Sequence, residues 1–455
     1  MLTLLIDSML INSVLIVRML FNKKRSVTPS QGAACGRHTG HVLWEERMMK
    51  RAAGLTRIAL TRIGLTPIGL TLALAAAAPL AASPAYAAEK LKVGFISTFS
   101  GPQGVLGREL LDGFQLGVKQ AGGKLGGVDV EIVQGDDQAK PDVGVQLAER
   151  MLERDKVQIV TGINFSNVLL AVAKPVLENK TVYLSINAGP SQLAGAGCSP
   201  YYFNVAFQND NVPEAMGRHL TDKGVKTAYL LAPNYPAGKD MLAGFKRFYK
   251  GQVVGEVYTQ FNQPDYAAEL AAIRQAKPEA VFFFYPGGMG INFLKQYAQS
   301  GLKGEVALYG PSFSLDQTVL PAVGDAALGT FSTAFWSEGT ENAANKAFVE
   351  AFEAAYGRIP SPAAATGYDG ARLLDAAVKA AGGKVSDREA LRTAIKGAKF
   401  ESVRGSFRFN TNNYPIQDYA LYEVVKDAKG RLVNAYRAPV MQDHQDAYVK
   451  DCAMK

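Results

Sequence analysis

LKVGFISTFSGPQGVLGRELLDGFQLGV, residues 91–118, sets an apolar run directly before an amphipathic segment. The run Leu91–Ser97 is apolar on both faces, which is typical of a parallel strand buried beneath helices. A helix is predicted over Gly107–Gln120, and its apolar positions share one face: Leu110, Leu111, Phe114 and Val118. A strand followed by a helix that packs back on it is half of a βαβ unit, so the stretch predicts an α/β fold with a parallel sheet.

The same alternation of strands and helices occurs twice along the chain. The first series continues with strand Val128–Val133, helix Asp142–Arg154, strand Gln158–Thr161, helix Asn167–Glu178 and strand Val182–Ile186. The second series consists of strands Thr227–Ala232, Val253–Tyr258, Ala280–Tyr285 and Val306–Tyr309 with helices Lys239–Tyr249, Tyr266–Gln275 and Gly290–Ser300. Tyr201–Asp210 is the predicted crossing between them. Two such series indicate two Rossmann-like lobes with a cleft between them.

The last part of the chain is predicted to return to both lobes. Helices Asn342–Tyr356 and Thr366–Ala381 are assigned to the first lobe, and three closing strands are predicted at Ser406–Phe409, Tyr419–Val425 and Leu432–Ala438. We therefore expect lobe 1 to comprise residues 88–208 and 336–410, and lobe 2 to comprise residues 209–335 and 411–455.

The formal net charge of +8 on the 455 residues is unevenly distributed. Residues 1–87 hold 10 Lys or Arg against 3 Asp or Glu, whereas the rest of the chain holds 39 against 38. A nearly neutral globular part gives no electrostatic support for binding nucleic acid or an anionic membrane.

Residues 48–87 have the three parts of a secretory signal peptide. A positive stretch precedes an apolar run over 63–82, and Ala85-Tyr86-Ala87 fits the small-residue pattern that signal peptidase accepts. We expect cleavage after Ala87 and export to the periplasm. No cysteine stands at the cut, which favours a free protein over a lipid-anchored one.

Residues 1–47 do not belong to such a signal. Their apolar beginning is interrupted by Asp7 and Arg18, and a charge within a membrane span costs about 2.5–3.5 kcal/mol. A start codon assigned too early is therefore favoured over a membrane anchor for this extension.

Cys198 and Cys452 are the two cysteines beyond the leader. In an oxidising compartment they permit one disulfide, which would close a loop of about 250 residues and hold the C-terminal tail. The alternative is two unpaired thiols, and we favour the disulfide.

Catalytic and cofactor motifs are missing from the part of the sequence that follows the leader. It contains two distant histidines, His219 and His444, and no metalloprotease, nucleophile-elbow or Cys-x-x-Cys motif. The glycines at 101, 104 and 107 do not have the spacing of a dinucleotide-binding loop. Asp136-Asp137 is more consistent with a solvated loop than with a paired-carboxylate site. We expect no enzyme activity, no cofactor and no metal.

The loops at the carboxyl ends of the strands carry the functional signal, because ligands of open α/β sheets bind there. Hydroxyl, amide and glycine backbone donors recur in these loops, which are residues 98–101, 164–167, 187–191, 234–236, 285–288 and 310–313, and all but 187–191 also contain an aromatic ring. Such donors suit a carboxylate, and the rings suit a flat apolar body. Each loop alone is also an ordinary turn, since Gly, Asn, Ser and Pro are turn residues.

Several segments resemble the periplasmic type I solute-binding proteins of ABC transporters, in the branched-chain amino acid (Leu/Ile/Val) class. The segments are the opening stretch at 91–118, IVTGINFSNVLLAVAKPVLENKTVYLSINAGPSQLAG, PNYPAGKDMLAGFK, FFFYPGGMGINFLKQYAQSGL, ALYGPSFSLDQTVL and ATGYDGARLLDAAVKAAGG. The resemblance covers essentially the whole chain after the leader. It implies two lobes joined by three crossings that close on a ligand, and a permease that reads the closed form.

The resemblance also assigns roles to individual positions. Residues 164–166 and 187–189 match the segments that hold the ligand carboxylate, and Tyr235 and Tyr285 match aromatic positions of the second lobe. Ser312 stands where amino-acid binders have an acidic residue for the ligand ammonium. The candidate ligand-binding residues are Phe99, Ser100, Arg108, Asn164, Phe165, Ser166, Asn187, Ala188, Gly189, Tyr235, Tyr285, Ser312 and Phe313. For Arg108 a surface role is an equal alternative.

Because the candidate loops contain no Asp or Glu, an ammonium-bearing ligand is disfavoured and an aromatic carboxylate is favoured. The sequence also resembles the branch of the family that takes up benzoate and cinnamate derivatives. We therefore expect a monomeric periplasmic protein that captures a small aromatic carboxylate for an ABC permease. The alternatives are a branched-chain amino acid or amide binder of the same family and a periplasmic sensor.

Overall fold

The computed structural model describes residues 89–454. The extension 1–47, the signal peptide 48–87 and the cleavage after Ala87 lie outside these residues. Among residues 89–454 no helix combines the length and the apolar character needed to cross a bilayer.

The first sheet has six strands in the order β2-β3-β1-β4-β5-β6. They are β1 (Leu91–Ser97), β2 (Lys124–Leu125), β3 (Val128–Asp136), β4 (Ile159–Thr161), β5 (Val182–Ser185) and β6 (Tyr202–Asn204). Neighbours pair in parallel except in the β2–β3 hairpin. The chain leaves β1 for β3 on one side and then returns to β4 on the other. The loops after β1 and β4 therefore flank the point at which the strand order reverses, where open sheets bind ligands.

Helices cover both faces of this sheet, which explains why β1 is apolar on both sides. Phe95 packs in the hydrophobic cluster that includes the helix α1 (Gly104–Gln120), whereas Ile96 belongs to the cluster of the opposite face. The remaining helices between these strands are α2 (Pro141–Arg150), α3 (Ser166–Glu178) and the short α4 (Ser191–Ala194).

The second sheet has a parallel centre and an antiparallel edge, in the order β12-β13-β11-β10-β9-β7-β8, with β14 paired to β13. Its strands are β7 (Thr227–Pro233), β8 (Gln252–Thr259), β9 (Ala280–Phe283), β10 (Ala307–Pro311), β11 (Phe331–Ala334), β12 (Arg408–Phe409), β13 (Pro415–Lys426) and β14 (Leu432–His444). Its strand order reverses between β7 and β9. The helices that accompany it are α5 (Asn211–Asp222), α6 (Pro236–Phe248), α7 (Ala267–Ala276), α8 (Gly288–Gln299) and the short α9 (Leu320–Val323).

Three late helices, α10 (Ala343–Tyr356), α11 (Pro362–Ala380) and α12 (Arg388–Gly397), follow β11. The return of α11 to the first lobe depends on glycines at a close helix crossing. A Cβ on Gly113 of α1 would overlap the carbonyl of Ala364, and one on Gly367 of α11 would overlap the carbonyl of Leu110. The two backbones therefore approach each other more closely than larger residues would allow. The two sheets with their helices form the two lobes of a type I periplasmic binding protein fold, as the sequence predicts.

The region between the two series differs from the prediction. Tyr202–Asn204, predicted to be part of a crossing, is the sixth strand of the first sheet, and the crossing begins after it. The strand β11 was not predicted from the sequence. A three-residue strand is too short to show a period, and β11 pairs mainly with distant residues of β10 and β13.

The C-terminal tail beyond β14 runs back to the first lobe. Cys452 is disulfide-bonded to Cys198, which precedes β6, with the two Cα atoms 5.6 Å apart. On the way, the hydroxyl of Tyr448 donates to Asp210 Oδ2 at 2.8 Å, and Asn412 Nδ2 donates to Asp446 at 3.0 Å. The tail thus connects both lobes, and the bond is the one favoured from the sequence.

Candidate ligand-binding cleft

The carboxyl-end loops of the two sheets meet around a cavity of about 40 Å³, measured as the volume open to the centre of a water-sized sphere. A single water needs roughly 10–15 Å³ by that measure, so there is room for a small molecule. The first lobe contributes Leu106, Asn164, Phe165, Ser166, Asn187, Ala188, Pro362 and Ala363. The second lobe and the crossings contribute Phe207, Asn209, Tyr235, Ala237, Met241, Phe284, Pro286, Phe313, Asp316 and Phe335.

Asn164 carries the most clearly oriented donor of the first lobe. Its Oδ1 accepts hydrogen bonds from Ser97 Oγ at 2.6 Å and from the backbone N–H of Thr98 at 3.1 Å. Because a backbone N–H only donates, this contact fixes which end of the amide is which. Asn164 Nδ2 is buried and has no hydrogen-bond partner among the described residues. It is therefore a donor without an acceptor in the wall of the cavity.

Three helices begin at this cavity. Ser166 is the first residue of α3, Ala237 the second of α6, and Pro362 and Ala363 the first two of α11, and all four line the wall. The first turn of a helix has unpaired N–H groups and the positive end of the helix dipole. No Lys, Arg or His of residues 89–454 is among the lining residues. The positive potential of the cavity therefore comes from helix ends and amides.

Six aromatic rings line the cavity in two groups. In the first group, Phe165 of the first lobe meets Tyr235 of the second edge-on at 6.2 Å, and Tyr235 stacks on Phe284 at 6.2 Å. In the second group, Phe207 stacks on Phe313 at 4.5 Å and on Phe335 at 5.6 Å. Because both lobes and the crossings supply rings, the apolar wall is complete only when the lobes are together.

One acidic residue, Asp316, also lines the cavity, so the expectation of a wall without Asp or Glu is wrong. The short helical turn at Ser312–Ser314 carries the chain from the predicted loop to this position, which lies four residues after Ser312. Oδ1 of Asp316 accepts from the backbone N–H of Thr318 at 2.8 Å and from its hydroxyl at 2.5 Å. Burial raises the pKa of this carboxyl to about 7, although the bonds from Thr318 act in the opposite direction.

Seven of the predicted ligand-binding residues line the cavity: Asn164, Phe165, Ser166, Asn187, Ala188, Tyr235 and Phe313. Three others lie near the loops but face elsewhere. Ser100 is exposed, Arg108 donates to the carbonyl of Phe99 at 3.0 Å, and the ring of Phe99 stacks on Phe95. The structure thus places Phe99, Ser100 and Arg108 outside the cavity wall.

The other three predicted residues are buried behind the wall. Gly189 packs its Cα against the carbonyl of Phe207, where a Cβ would overlap. Tyr285 packs against Tyr266 in the core of the second lobe, with ring centroids 4.8 Å apart. Ser312 is buried, and its hydroxyl has no hydrogen-bond partner among the described residues. Their neighbours in sequence, Ala188, Phe284 and Phe313, face the cavity instead.

Most of the lining residues missed from the sequence fall into two kinds. Phe207, Asn209 and Phe335 lie where the chain crosses between the lobes, and the predicted crossing at 201–210 was a signal for the first two. Apolar positions near helix N-termini were the second kind: Leu106, Ala237, Met241, Pro362 and Ala363. Within residues 89–454 no group of three or more His, Cys, Asp or Glu is placed to hold a metal ion.

A family model described as periplasmic binding protein matches residues 90–430. The chain belongs to the periplasmic binding protein family. This confirms the family resemblance seen in the sequence, and the chain is a periplasmic solute-binding protein of the kind that serves ABC transporters.

Individual relatives of this periplasmic binding protein fall into two groups by name. An R. palustris solute-binding protein of an ABC transporter, solved in complex with benzoate, is 34% identical, with 80% of this chain and 100% of that chain covered and a TM-score of 0.75. One from R. palustris BisB5, solved with 3,4-dihydroxybenzoic acid, is 32% identical, with coverage of 79% and 99% and a TM-score of 0.75. A Leu/Ile/Val-binding protein homolog 6 from Brucella melitensis is 30% identical over 359 residues, covering 76% of this chain and 90% of the relative.

The two lobes of the binding protein are hydrogen-bonded to each other beside the cavity. Gln103, before α1, donates through Nε2 to Asn262 Oδ1 of the second lobe at 2.9 Å. Ser191, the first residue of α4, donates through its hydroxyl to Asp240 of α6 at 2.7 Å. The structure therefore represents a closed arrangement of the two lobes.

Asp240 belongs to a buried acidic group behind the cavity. Asn209, which lines the cavity, donates through Nδ2 to Ser166 Oγ at 3.1 Å and to Asp240 Oδ2 at 2.9 Å. Burial and the charge of Asp240 raise the pKa of Asp210 to about 7, and these effects outweigh its ion pair with Arg247 at 2.9 Å.

The buried carboxyls predict that the free energy of unfolding falls as the pH rises from about 4 towards 7. In that range the folded protein keeps protons on Asp210 and Asp316 that the unfolded chain has already lost. Each such group contributes up to about 1.4 kcal/mol per pH unit. The lowered pKa of buried His219 makes the free energy of unfolding rise with pH below about pH 6.5. This single group is outweighed by the two carboxyls.

We therefore expect a higher Tm at pH 5.5 than at pH 7.5 in calorimetry of the ligand-free protein. Asp210→Asn is expected to reduce this difference. A Tm that rises between the two pH values would contradict the raised pKa values of the buried carboxyls.

Proposed function

We propose that this binding protein captures a small single-ring aromatic carboxylate, of the benzoate or cinnamate type, and delivers it to an ABC permease in the inner membrane. The observation that carries the proposal is a cavity lined by six aromatic rings at which three helices begin, with no basic side chain among its lining residues. The rings suit a flat ligand, and the helix N-termini suit its anionic end.

The anionic end is assigned to the first lobe. Asn164 Nδ2 is an unpaired buried donor, and Ser166 begins helix α3 beside it. A helix N-terminus stabilises a nearby anion by about 0.3–1 kcal/mol, and by up to about 2 kcal/mol when partly buried. Neutral donors of this kind bind a carboxylate without burying a compensating basic residue.

The ring is assigned to the space bordered by the two aromatic groups. Aromatic contacts contribute about 0.5–1.5 kcal/mol each beyond the area that they bury. The R. palustris proteins solved with benzoate and with 3,4-dihydroxybenzoic acid support this class of ligand, since they share about a third of their residues with this chain.

Transport follows from closure of the lobes on the ligand. Phe165 and Tyr235 come from different lobes, as do Ser191 and Asp240, so each contact is lost when the cleft opens. A ligand that touches both walls favours the closed form by its difference in affinity for the two forms. The permease is expected to bind the closed form, which couples recognition to delivery.

A branched-chain amino acid is the second candidate ligand, favoured by Asp316. An ammonium group in a closed cleft requires a carboxylate or oriented carbonyls, and Asp316 lines the wall. The relative from Brucella melitensis carries the name of a Leu/Ile/Val-binding protein homolog.

Calorimetric titration of the unfolded and refolded, ligand-free protein tests the proposal. We expect benzoate or 4-hydroxybenzoate to bind, and cyclohexanecarboxylate, leucine and isoleucine to bind at least 100-fold more weakly. At 100 times its Kd the ligand stabilises the protein by about 2.7 kcal/mol, which is readily seen as a thermal shift.

Two variants serve as test and matched control in the same titration. Phe313→Leu removes the stacking partner of Phe207 in the cavity and is expected to weaken the binding of aromatic acids about tenfold. Tyr285→Phe alters a ring behind the wall and is expected to leave binding unchanged. Tight binding of leucine without binding of any aromatic acid would reject the proposed ligand class and favour the second candidate.

A further inference from the structure

Asp316 is an acidic group that faces the ligand cavity without a basic partner. It is the only Asp or Glu among the lining residues of the described chain, and those residues include no Lys, Arg or His. None of the ion pairs formed within residues 89–454 involves it. A buried carboxyl without a counter-ion needs hydrogen-bond partners, because its desolvation is otherwise uncompensated.

The protein itself supplies hydrogen-bond partners for one of the two oxygens of this carboxyl. Both hydrogen bonds that Asp316 accepts come from Thr318, and both end on Oδ1. They hold the side chain in the turn that precedes α9. The backbone carbonyl of Asp316 also accepts hydrogen bonds from the N–H groups at the start of this helix. Oδ2 receives no hydrogen bond from the described residues, which leaves it for the contents of the cavity.

The position of Asp316 separates it from the donors proposed for the ligand carboxylate. Asp316 follows β10 in the second lobe, whereas Asn164 and Ser166 follow β4 in the first. A ligand that lies between the lobes therefore presents its carboxylate to one wall and its other end to Asp316. A carboxylate directed at Asp316 would place two acids together, and one of them would have to hold a proton.

We propose that Asp316 is a specificity-determining residue that selects ligands carrying a hydrogen-bond donor on the ring, such as a phenolic hydroxyl, at the end remote from the carboxylate. This inference rests on the proposed function and narrows its ligand class to hydroxylated aromatic acids. A ligand without that donor leaves Oδ2 buried and unpaired. Sites built to bond a hydroxyl discriminate strongly against the analogue that lacks it, for this reason.

The experiment compares benzoate, 4-hydroxybenzoate and 4-methoxybenzoate by calorimetric titration. 4-Methoxybenzoate keeps the ring and the oxygen but has no proton to donate. We expect wild-type protein to bind 4-hydroxybenzoate at least tenfold more tightly than either of the others.

Asp316→Asn separates recognition from a structural role in the turn. Asn keeps an Oδ1 acceptor for Thr318, and Asn and Asp side chains both bond the backbone two residues on in such turns, so the fold is expected to be kept. The amide presents a donor where Oδ2 accepted, so the preference for 4-hydroxybenzoate should fall to threefold or less while benzoate binding is kept. Ser312→Ala, in the preceding turn and outside the cavity, is the matched control and should keep the wild-type preference.

The outcomes distinguish this inference from the proposed function. If the three benzoates bind wild-type protein equally, or if Asp316→Asn retains the preference, the specificity role is rejected and the aromatic-carboxylate function stands. If no aromatic acid binds and leucine does, the proposed function is rejected and the inference falls with it.

Discussion

Replacing Gly287 with alanine is expected to weaken ligand binding by up to about tenfold while leaving each lobe folded. Gly287 directly precedes α8 with φ 56° and ψ −131°, a backbone conformation that is essentially restricted to glycine. A Cβ at this position would overlap Oε1 of Gln103, the residue that donates to Asn262 across the cleft. Closure then requires the buried amide to move and to lose its bond to the other lobe.

The substitution has two effects that act on different equilibria. The backbone strain is present in the open and in the closed form, so it lowers the free energy of unfolding by about 1–3 kcal/mol. The overlap with Gln103 exists only when the lobes are together, so it opposes closure. Loss of the neutral bond from Gln103 to Asn262 costs the closed form about 0.5–1.5 kcal/mol, which corresponds to a loss of affinity of up to roughly tenfold.

Gly324→Ala is the matched control, because Gly324 has φ 66° and ψ −148° and no atom within 4 Å of the added Cβ. It carries comparable backbone strain without the contact across the cleft. Calorimetric titration should show weaker binding for Gly287→Ala and wild-type binding for Gly324→Ala, and X-ray scattering should show that only the former needs a higher ligand concentration to contract. Gln103→Ala lacks the same bond, so it should show a similar loss, and adding Gly287→Ala to it should lower the affinity no further. Equal affinities of the two glycine variants would exclude a contact at closure.

The fold was predictable because its signal is local. The strand Leu91–Ser97 has the bounds that the apolar run predicts, and α1 ends at Gln120 as predicted while beginning three residues earlier. A parallel strand buried on both faces leaves a continuous apolar run, which neighbouring polar loops delimit. The short strands β6 and β11 leave no such run, because their identity depends on partners that are distant in sequence.

The ring that faces the cavity was not predictable at the end of β9, because the choice depends on a one-residue register. The sequence predicts a strand through Tyr285, whereas the strand ends at Phe283. Successive side chains point to opposite sides, so Phe284 lines the cavity and Tyr285 packs on Tyr266. Both residues are aromatic, and composition alone does not distinguish them.

Asp316 was missed for a related reason. The loop prediction ended at Phe313. The helical turn Ser312–Ser314 continues the chain along the cavity, so that Asp316, two residues after the turn, also lines the wall. The rings of Phe207 and Phe335 reach the site only because the crossings run beside the cleft. The arrangement of the two lobes decides these contacts, and no local sequence pattern encodes it.

Removing the disulfide is expected to give the largest loss of stability. Cys198 and Cys452 are 254 residues apart, and the chain-entropy model assigns a cross-link of that length about 5 kcal/mol, from which any strain is subtracted. For a protein of this size that corresponds to a fall in Tm of roughly 6 °C. The loss arises in the unfolded state, because the bond restricts the ensemble of the open chain.

The contacts of the tail add a contribution in the folded state. Tyr448, four residues before Cys452, bonds to Asp210 and accepts a hydrogen bond from Arg247 at 3.0 Å. Without the disulfide, these contacts hold the tail against the first crossing. The tail should therefore exchange its amide protons faster in the Cys198→Ser/Cys452→Ser variant than in the wild type.

Scanning calorimetry of the wild type and of this double variant, each with and without reductant, separates the two contributions. Reductant should lower the Tm of the wild type to that of the variant and leave the variant unchanged. Tyr448→Phe, which keeps the disulfide and removes the hydroxyl, should lower the Tm by no more than about 4 °C, because one hydrogen bond to a charged group contributes about 1.5–3 kcal/mol. If the double variant melts at the wild-type temperature, the cross-link contributes nothing to stability, and non-covalent contacts such as those with Asp210 and Arg247 hold the tail.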